Sequence, residues 1–135
     1  MKKAKLKVSA VLLGVGILSA QSALATYSSY GTFEVTAGTT QTTTTTGSKL
    51  KQMKETNNTT VSFQASSMTM WSDPDARIVN SNNEKRSDWV EVKNTSDTFT
   101  AGNNIGEPNY YYYAQVKPDA TQSGTDTIKL RFNPK

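Results

Sequence analysis

The stretch GEPNYYYYAQVKP occupies residues 106–118. Four adjacent tyrosines, Tyr110 to Tyr113, run directly into Ala114, Gln115, Val116 and Lys117. Successive side chains of a β-strand point to opposite faces, so four rings in a row cannot share one environment. The continuation sets the phase. Tyr110, Tyr112, Ala114 and Val116 fall on one face, and Tyr111, Tyr113, Gln115 and Lys117 fall on the other. Alanine and valine belong in a core, which assigns Tyr110 and Tyr112 to the interior and leaves Tyr111 and Tyr113 facing outward.

The same two-residue period runs outward from this strand through most of the chain. After a turn at PDATQSG, Ile128, Leu130 and Phe132 alternate with Lys129 and Arg131 over residues 125–132. Upstream, strands are predicted at 30–35, 50–54, 60–71, 77–79, 89–93 and 98–100. Clusters of Asn, Gly, Pro and Asp separate them, and no sustained 3.6-residue pattern intervenes. Within 60–71, Val61, Phe63 and Ala65 alternate, then Met68 and Met70 continue in the opposite phase. That slip around Ser66 and Ser67 predicts a bulge or a bend between sheets. Seven or eight short strands in about 110 residues specify an all-β fold. The expected architecture is a single small antiparallel β-sandwich of immunoglobulin-domain size, with a small barrel as the alternative. Pairing the last two strands as a hairpin about Gln122 would set Val116 near Ile128 and Ala114 near Leu130. The same register would bring Tyr113 beside Arg131 and Gln115 beside Lys129.

Residues 1–25, MKKAKLKVSAVLLGVGILSAQSALA, have a cationic head, an apolar run of about a dozen residues and a small-residue Ala23-Leu24-Ala25 site. This is the layout of a secretory leader, and the run is shorter than the ~20 residues that span a bilayer. The formal charge of +4 belongs to the whole chain; setting aside Lys2, Lys3, Lys5 and Lys7 leaves eleven basic against eleven acidic residues. A neutral remainder argues against nucleic acid as a partner, which calls for a basic face. The expected organisation is a leader at 1–25, an amino-terminal strand with a threonine-rich linker or loop at 26–49, and the β-sandwich at 50–135. No membrane span is expected in the mature protein, and the expected location is extracellular or at the cell surface. In layout the chain resembles small, cysteine-free secreted proteins of Gram-positive bacteria, some of them bacteriocin-like. That resemblance rests on the leader and the Thr/Asn-rich β character, and it implies no catalytic residues.

The chain contains no histidine and no cysteine. Ser-His-Asp and Cys-His nucleophilic systems, the usual zinc ligand sets and iron–sulfur ligation therefore have no residues to build on. No phosphate-binding glycine loop of standard spacing occurs. Neither a cofactor nor a metal site is expected. Carboxylate chemistry remains formally open, but Asp73, Asp75, Glu84, Asp88 and Glu91 form no recognisable pair, so an enzyme is not expected. Asp73, Asp75 and Glu84 match positions 1, 3 and 12 of a calcium loop. Arg77 then stands at a ligand position and Ile78 at the obligatory glycine, which excludes the EF-hand and leaves an irregular calcium site open.

The aromatics carry the functional expectation. Trp89 runs out of phase with Val90 and Val92, and Trp71 with Met68 and Met70, so both join Tyr111 and Tyr113 on outer faces. With Lys129 and Arg131 beside them, Trp71, Trp89, Tyr111 and Tyr113 are the candidate ligand contacts. The competing view seats the tryptophans in a core short of aliphatics and covers one tyrosine row with a loop. Exposed rings suit the flat faces of sugars and the anchors of protein partners. The expected function is a secreted, noncatalytic protein binding a glycan, a cell-wall polymer or a surface protein. The alternatives are a bacteriocin-like effector and a structural subunit that assembles through edge strands.

Overall fold

In the computed structural model, which describes residues 26–135, each alternating segment forms a strand. These are β1 (Gly31–Thr36), β2 (Lys51–Met53), β3 (Val61–Met68), β4 (Asp75–Val79), β5 (Val90–Glu91), β6 (Phe99–Ala101), β7 (Tyr111–Lys117) and β8 (Thr125–Asn133). They make two antiparallel four-stranded sheets, ordered β1-β8-β3-β6 and β2-β7-β4-β5. The sheets pack as a small all-β sandwich, and neither closes into a barrel. The leader expected at 1–25 lies outside the described residues.

The alternation decides what the sheets bury. Phe33 and Val35 of β1, Val61, Phe63 and Ala65 of β3, and Ile128, Leu130 and Phe132 of β8 face Ala76 and Ile78 of β4 and Tyr112, Ala114 and Val116 of β7. Phe63 and Phe132, directly paired across β3 and β8, stack with ring centroids 6.0 Å apart. The phase slip in β3 is a bulge within one sheet. Ala65 pairs with Leu130 and Ser67 with Lys129, so Ser66 is the extra residue. The insertion lets Met68 pair with Ile128 and pack against the core.

The expected hairpin between β7 and β8 does not form. β7 lies between β2 and β4, while β8 lies between β1 and β3, so residues 118–124 cross from one sheet to the other. Tyr113 consequently pairs with Lys51 and Val79, and Arg131 pairs with Gln64. Alternation fixes which face of a strand turns inward. It says nothing about whether a neighbour in sequence lies beside that strand or across the core from it.

The threonine-rich segment is hydrogen-bonded onto the sandwich. Gln41 exchanges both backbone hydrogen bonds with Val116, at 2.7 and 2.8 Å. Thr45 N donates to Thr32 O at 2.7 Å. Between these contacts, Thr44 N reaches Ser48 O through a tight turn in which Gly47 takes φ +80°. The loop thereby links β1 of one sheet to β7 of the other and occupies backbone groups along both. β1 itself contributes Phe33 and Val35 to the core, so the sandwich draws on residues before as well as after position 50.

Candidate ligand face

The outer face of the β2-β7-β4-β5 sheet collects three of the expected aromatics. Tyr111 and Tyr113 project from β7 on the side opposite Tyr112, Ala114 and Val116, and Trp89 enters the same face just before β5. Each ring has a cation beside it. Lys51 Nζ lies 4.9 Å from the Tyr111 centroid and Lys49 Nζ lies 5.3 Å from that of Tyr113. The Trp89 ring carries the Arg77 guanidinium at 4.3 Å and Lys117 Nζ at 4.7 Å. Lysines near one strand reach rings on the next because diagonal cross-strand neighbours lie within range of long side chains. Each such contact contributes about 0.5–1 kcal/mol at an exposed site.

Polar contacts hold this layer in place. Arg77 Nε donates to Gln115 Oε1 at 2.6 Å, and Gln115 Nε2 donates to Thr42 Oγ1 at 3.1 Å. Lys117 pairs with Asp75 at 3.4 Å. Burial lowers the Arg77 pKa from its ordinary value, yet a guanidinium remains charged in proteins. Lys49, Lys51 and Arg77 appear in none of the ion pairs among the described residues.

At the amino-terminal end of β7 the face opens into a cleft of about 440 Å³ lined by Asn80, Ser81, Arg86, Ile105, Glu107 and Tyr110 to Tyr112. Part of its rim is apolar and solvent-facing, beside the polar Asn80, Ser81, Arg86 and Glu107. Ile105 and Tyr110 are each 65% exposed and Tyr111 is 48% exposed. Its floor is the buried Tyr112 ring, whose Oη donates to Glu107 O at 3.0 Å. Burial raises the Tyr112 pKa, so the phenol remains a donor at neutral pH.

The structure divides the remaining candidates. Trp71 sits in the loop between β3 and β4, 66% exposed, at the opposite end of the sandwich from Tyr110. It is no core residue. Trp89 and Tyr113 are half-buried on the outer face, also outside the core cluster. Lys129 and Arg131 stand on the outer face of the other sheet, so the expected neighbourhood of Tyr113 and Arg131 is corrected: the cation beside Tyr113 is Lys49. Tyr110, placed inside by parity, is outside. β7 begins only at Tyr111, and Asn109 adopts φ +67°, which breaks the alternation just before it. The Pro108-Asn109 pair was the available signal for that break.

The calcium-loop carboxylates do not converge. Asp75 opens β4 and pairs with Lys117, Glu84 lies beyond the far end of β4 with Arg86, and Asp73 approaches Lys93. Among the described residues, no three Asp or Glu side chains are grouped to hold a metal ion. No family model, curated protein or solved structure matches this chain.

Proposed function

We propose that this chain is a noncatalytic binding protein of the extracellular space or cell surface, which grips a glycan, a cell-wall polymer or a surface protein through the outer face of the β2-β7-β4-β5 sheet. One observation carries the reading. Tyr110, Tyr111 and Ile105 converge, exposed, on an open cleft that runs onto the ring-and-cation layer of Tyr111, Tyr113 and Trp89. Leaving rings in water forgoes roughly 1.5–3 kcal/mol of burial for each large apolar side chain, and contiguous exposed patches of this kind mark interaction surfaces. Tyrosines add flat area and a polar tip at low entropic cost.

Co-sedimentation of the full chain with washed bacterial walls and a panel of insoluble glycans tests the proposal. Tyr110→Ala and Tyr111→Ala run in parallel, each checked for an unchanged melting temperature. Sedimentation that a folded variant loses supports the face. Absence of sedimentation, or wild-type binding by both variants, overturns it.

A further inference from the structure

The opposite sheet carries a second arrangement that the tyrosine cleft does not use. Arg131 of β8 lies on the outer face of the β1-β8-β3-β6 sheet. Its Nε and Nη2 both donate to Gln64 Oε1, at 2.9 and 2.6 Å. Gln64 is itself oriented, because its Nε2 donates to Thr98 Oγ1 at 2.8 Å. Two rings flank the guanidinium, Tyr27 at 4.7 Å and Tyr30 at 4.9 Å from Cζ. The side edge of the guanidinium is thus occupied and its plane is fixed. Nη1 has no hydrogen-bond partner among the described residues, so the end edge formed by Nη1 and Nη2 is open. That edge is the fork that accepts a carboxylate in bidentate fashion.

The fork belongs to a cleft of about 380 Å³ lined by Tyr30, Gln64, Ser66, Asn94, Ser96 and Arg131, with others. The side chains of Ser66, Asn94 and Ser96 make no hydrogen bond to another described residue. Ser66 follows Gln64 on this face by alternation, before the bulge shifts the phase of Ser67 and Met68. Lys129, two residues along β8, adds a second cation near Tyr30, at 6.0 Å from its centroid. Two carboxylates lie nearby in sequence or pairing. Glu34 is paired with Thr127, and Asp97 accepts from Thr95. Neither forms an ion pair with Arg131 or Lys129, which are in none of the salt bridges among the described residues.

We infer that this cleft is a saccharide site, selective for a carboxylated sugar unit within an acidic polysaccharide. Arg131 takes the carboxylate on its free edge, Tyr30 supplies the wall against which the sugar ring lies, and Ser66, Asn94 and Ser96 meet its hydroxyls. Lys129 adds attraction for the next acidic unit of the polymer. A fixed guanidinium loses little freedom on binding, which favours it over the mobile surface lysines as the selective contact. The inference stands independently of the tyrosine face.

The test is calorimetric titration of the full chain with de-esterified oligogalacturonate and with the same oligosaccharide fully methyl-esterified. Arg131→Gln, Arg131→Lys and Lys85→Gln are titrated alongside, and each variant's melting curve is recorded. The acidic form should bind at least ~10-fold more tightly than the ester, and Arg131→Gln should lose at least ~10-fold for the acid. Arg131→Lys keeps the charge without the fork and should lose most of that affinity, whereas Lys85→Gln, which removes an exposed cation outside both clefts, should bind as wild type. Equal binding of ester and acid, or no binding of the acid, overturns the inference. So do wild-type affinity in Arg131→Gln and equal losses in Arg131→Gln and Lys85→Gln, the signature of unspecific charge attraction. Should Arg131→Gln fail to fold, Tyr30→Ala at a wild-type melting temperature decides: a loss of acid binding supports the site and unchanged binding overturns it.

Discussion

Gly106→Ala is a one-methyl change whose cost follows from the floor of the tyrosine cleft. A Cβ on Gly106 would stand 2.6 Å from Tyr112 Cζ and 2.9 Å from both Cε atoms. Ordinary carbon–carbon contacts sit near 3.5–4.0 Å, so the methyl is short of room by about 1 Å. The ring cannot retreat: Tyr112 is 4% exposed within the core, and its Oη is tied to Glu107 O. The loop must move instead, against its own anchors. These are Asn104 N to Thr59 O, Ile105 N to Arg86 O and Asn109 N to Lys54 O, at 2.9, 3.0 and 2.7 Å. Overpacking of this kind costs about 1–3 kcal/mol, and for a domain of this size each kcal/mol lowers the melting temperature by ~4 °C or more. Urea and thermal unfolding measure the loss, with a cycle that includes Tyr112→Leu. Leucine lacks the atoms that the new methyl meets, so the double variant should be at least ~1 kcal/mol more stable than the sum of the single losses requires. Strict additivity, or a Gly106→Ala variant within ~0.5 kcal/mol of wild type, would refute the close contact as the cause.

Two further perturbations probe other parts of the sandwich. Lys54 is buried, with Nζ donating to the main-chain oxygens of Asn58, Pro134 and Lys135, and burial lowers its pKa below the ordinary 10.5. The unfolded chain therefore holds that proton more tightly than the native one, and the native state becomes relatively more stable as pH rises from the lowered value toward 10.5. Urea midpoints of wild type and Lys54→Met, compared from neutral pH to about pH 10, should diverge in favour of wild type; a gap that stays flat or narrows contradicts the assignment. Deleting Ser66 removes the extra residue and leaves Ala65, Ser67 and Met68 opposite Leu130, Lys129 and Ile128, so cooperative unfolding should survive. Deleting Gln64 also uses up the spare residue, but it turns Ala65 outward and sets Ser66 in the core opposite Leu130, so it should destabilise more than deleting Ser66. Equal damage from the two deletions would show that the bulge is not the spare residue.

Much of this architecture is legible in the chain because β-structure writes itself with a period of two. Val61-Phe63-Ala65 and Ile128-Leu130-Phe132 announce their inner faces, and Met68 and Met70 announce the bulge by arriving in the wrong phase. The tyrosine run discloses its inner and outer rows wherever the strand is regular, as Tyr111, Tyr112 and Tyr113 show. Tyr110 escapes the pattern because Asn109 turns the backbone before the strand begins, and parity holds only within a continuous strand. Tyr27 carries no alternation that would mark it as a neighbour of Arg131, and Ile105 stands alone in a loop.

The sequence by itself determined the all-β class, the strand positions, the phase of most strands and the absence of histidine and cysteine chemistry. Only the tertiary structure decided which sheet each strand joins. It placed Lys49 instead of Arg131 beside Tyr113, put Arg131 between Tyr27 and Tyr30, and divided the candidate residues between two outer faces and a distant loop. The physical reason is that facing inward is a local property, carried by each side chain's hydrophobicity and the pleat of its own strand. Partnership between strands is a property of the whole core. β7 and β8 bury the same residues whether they lie side by side or face each other across the sandwich, and the choice rests on contacts with segments far away in the chain.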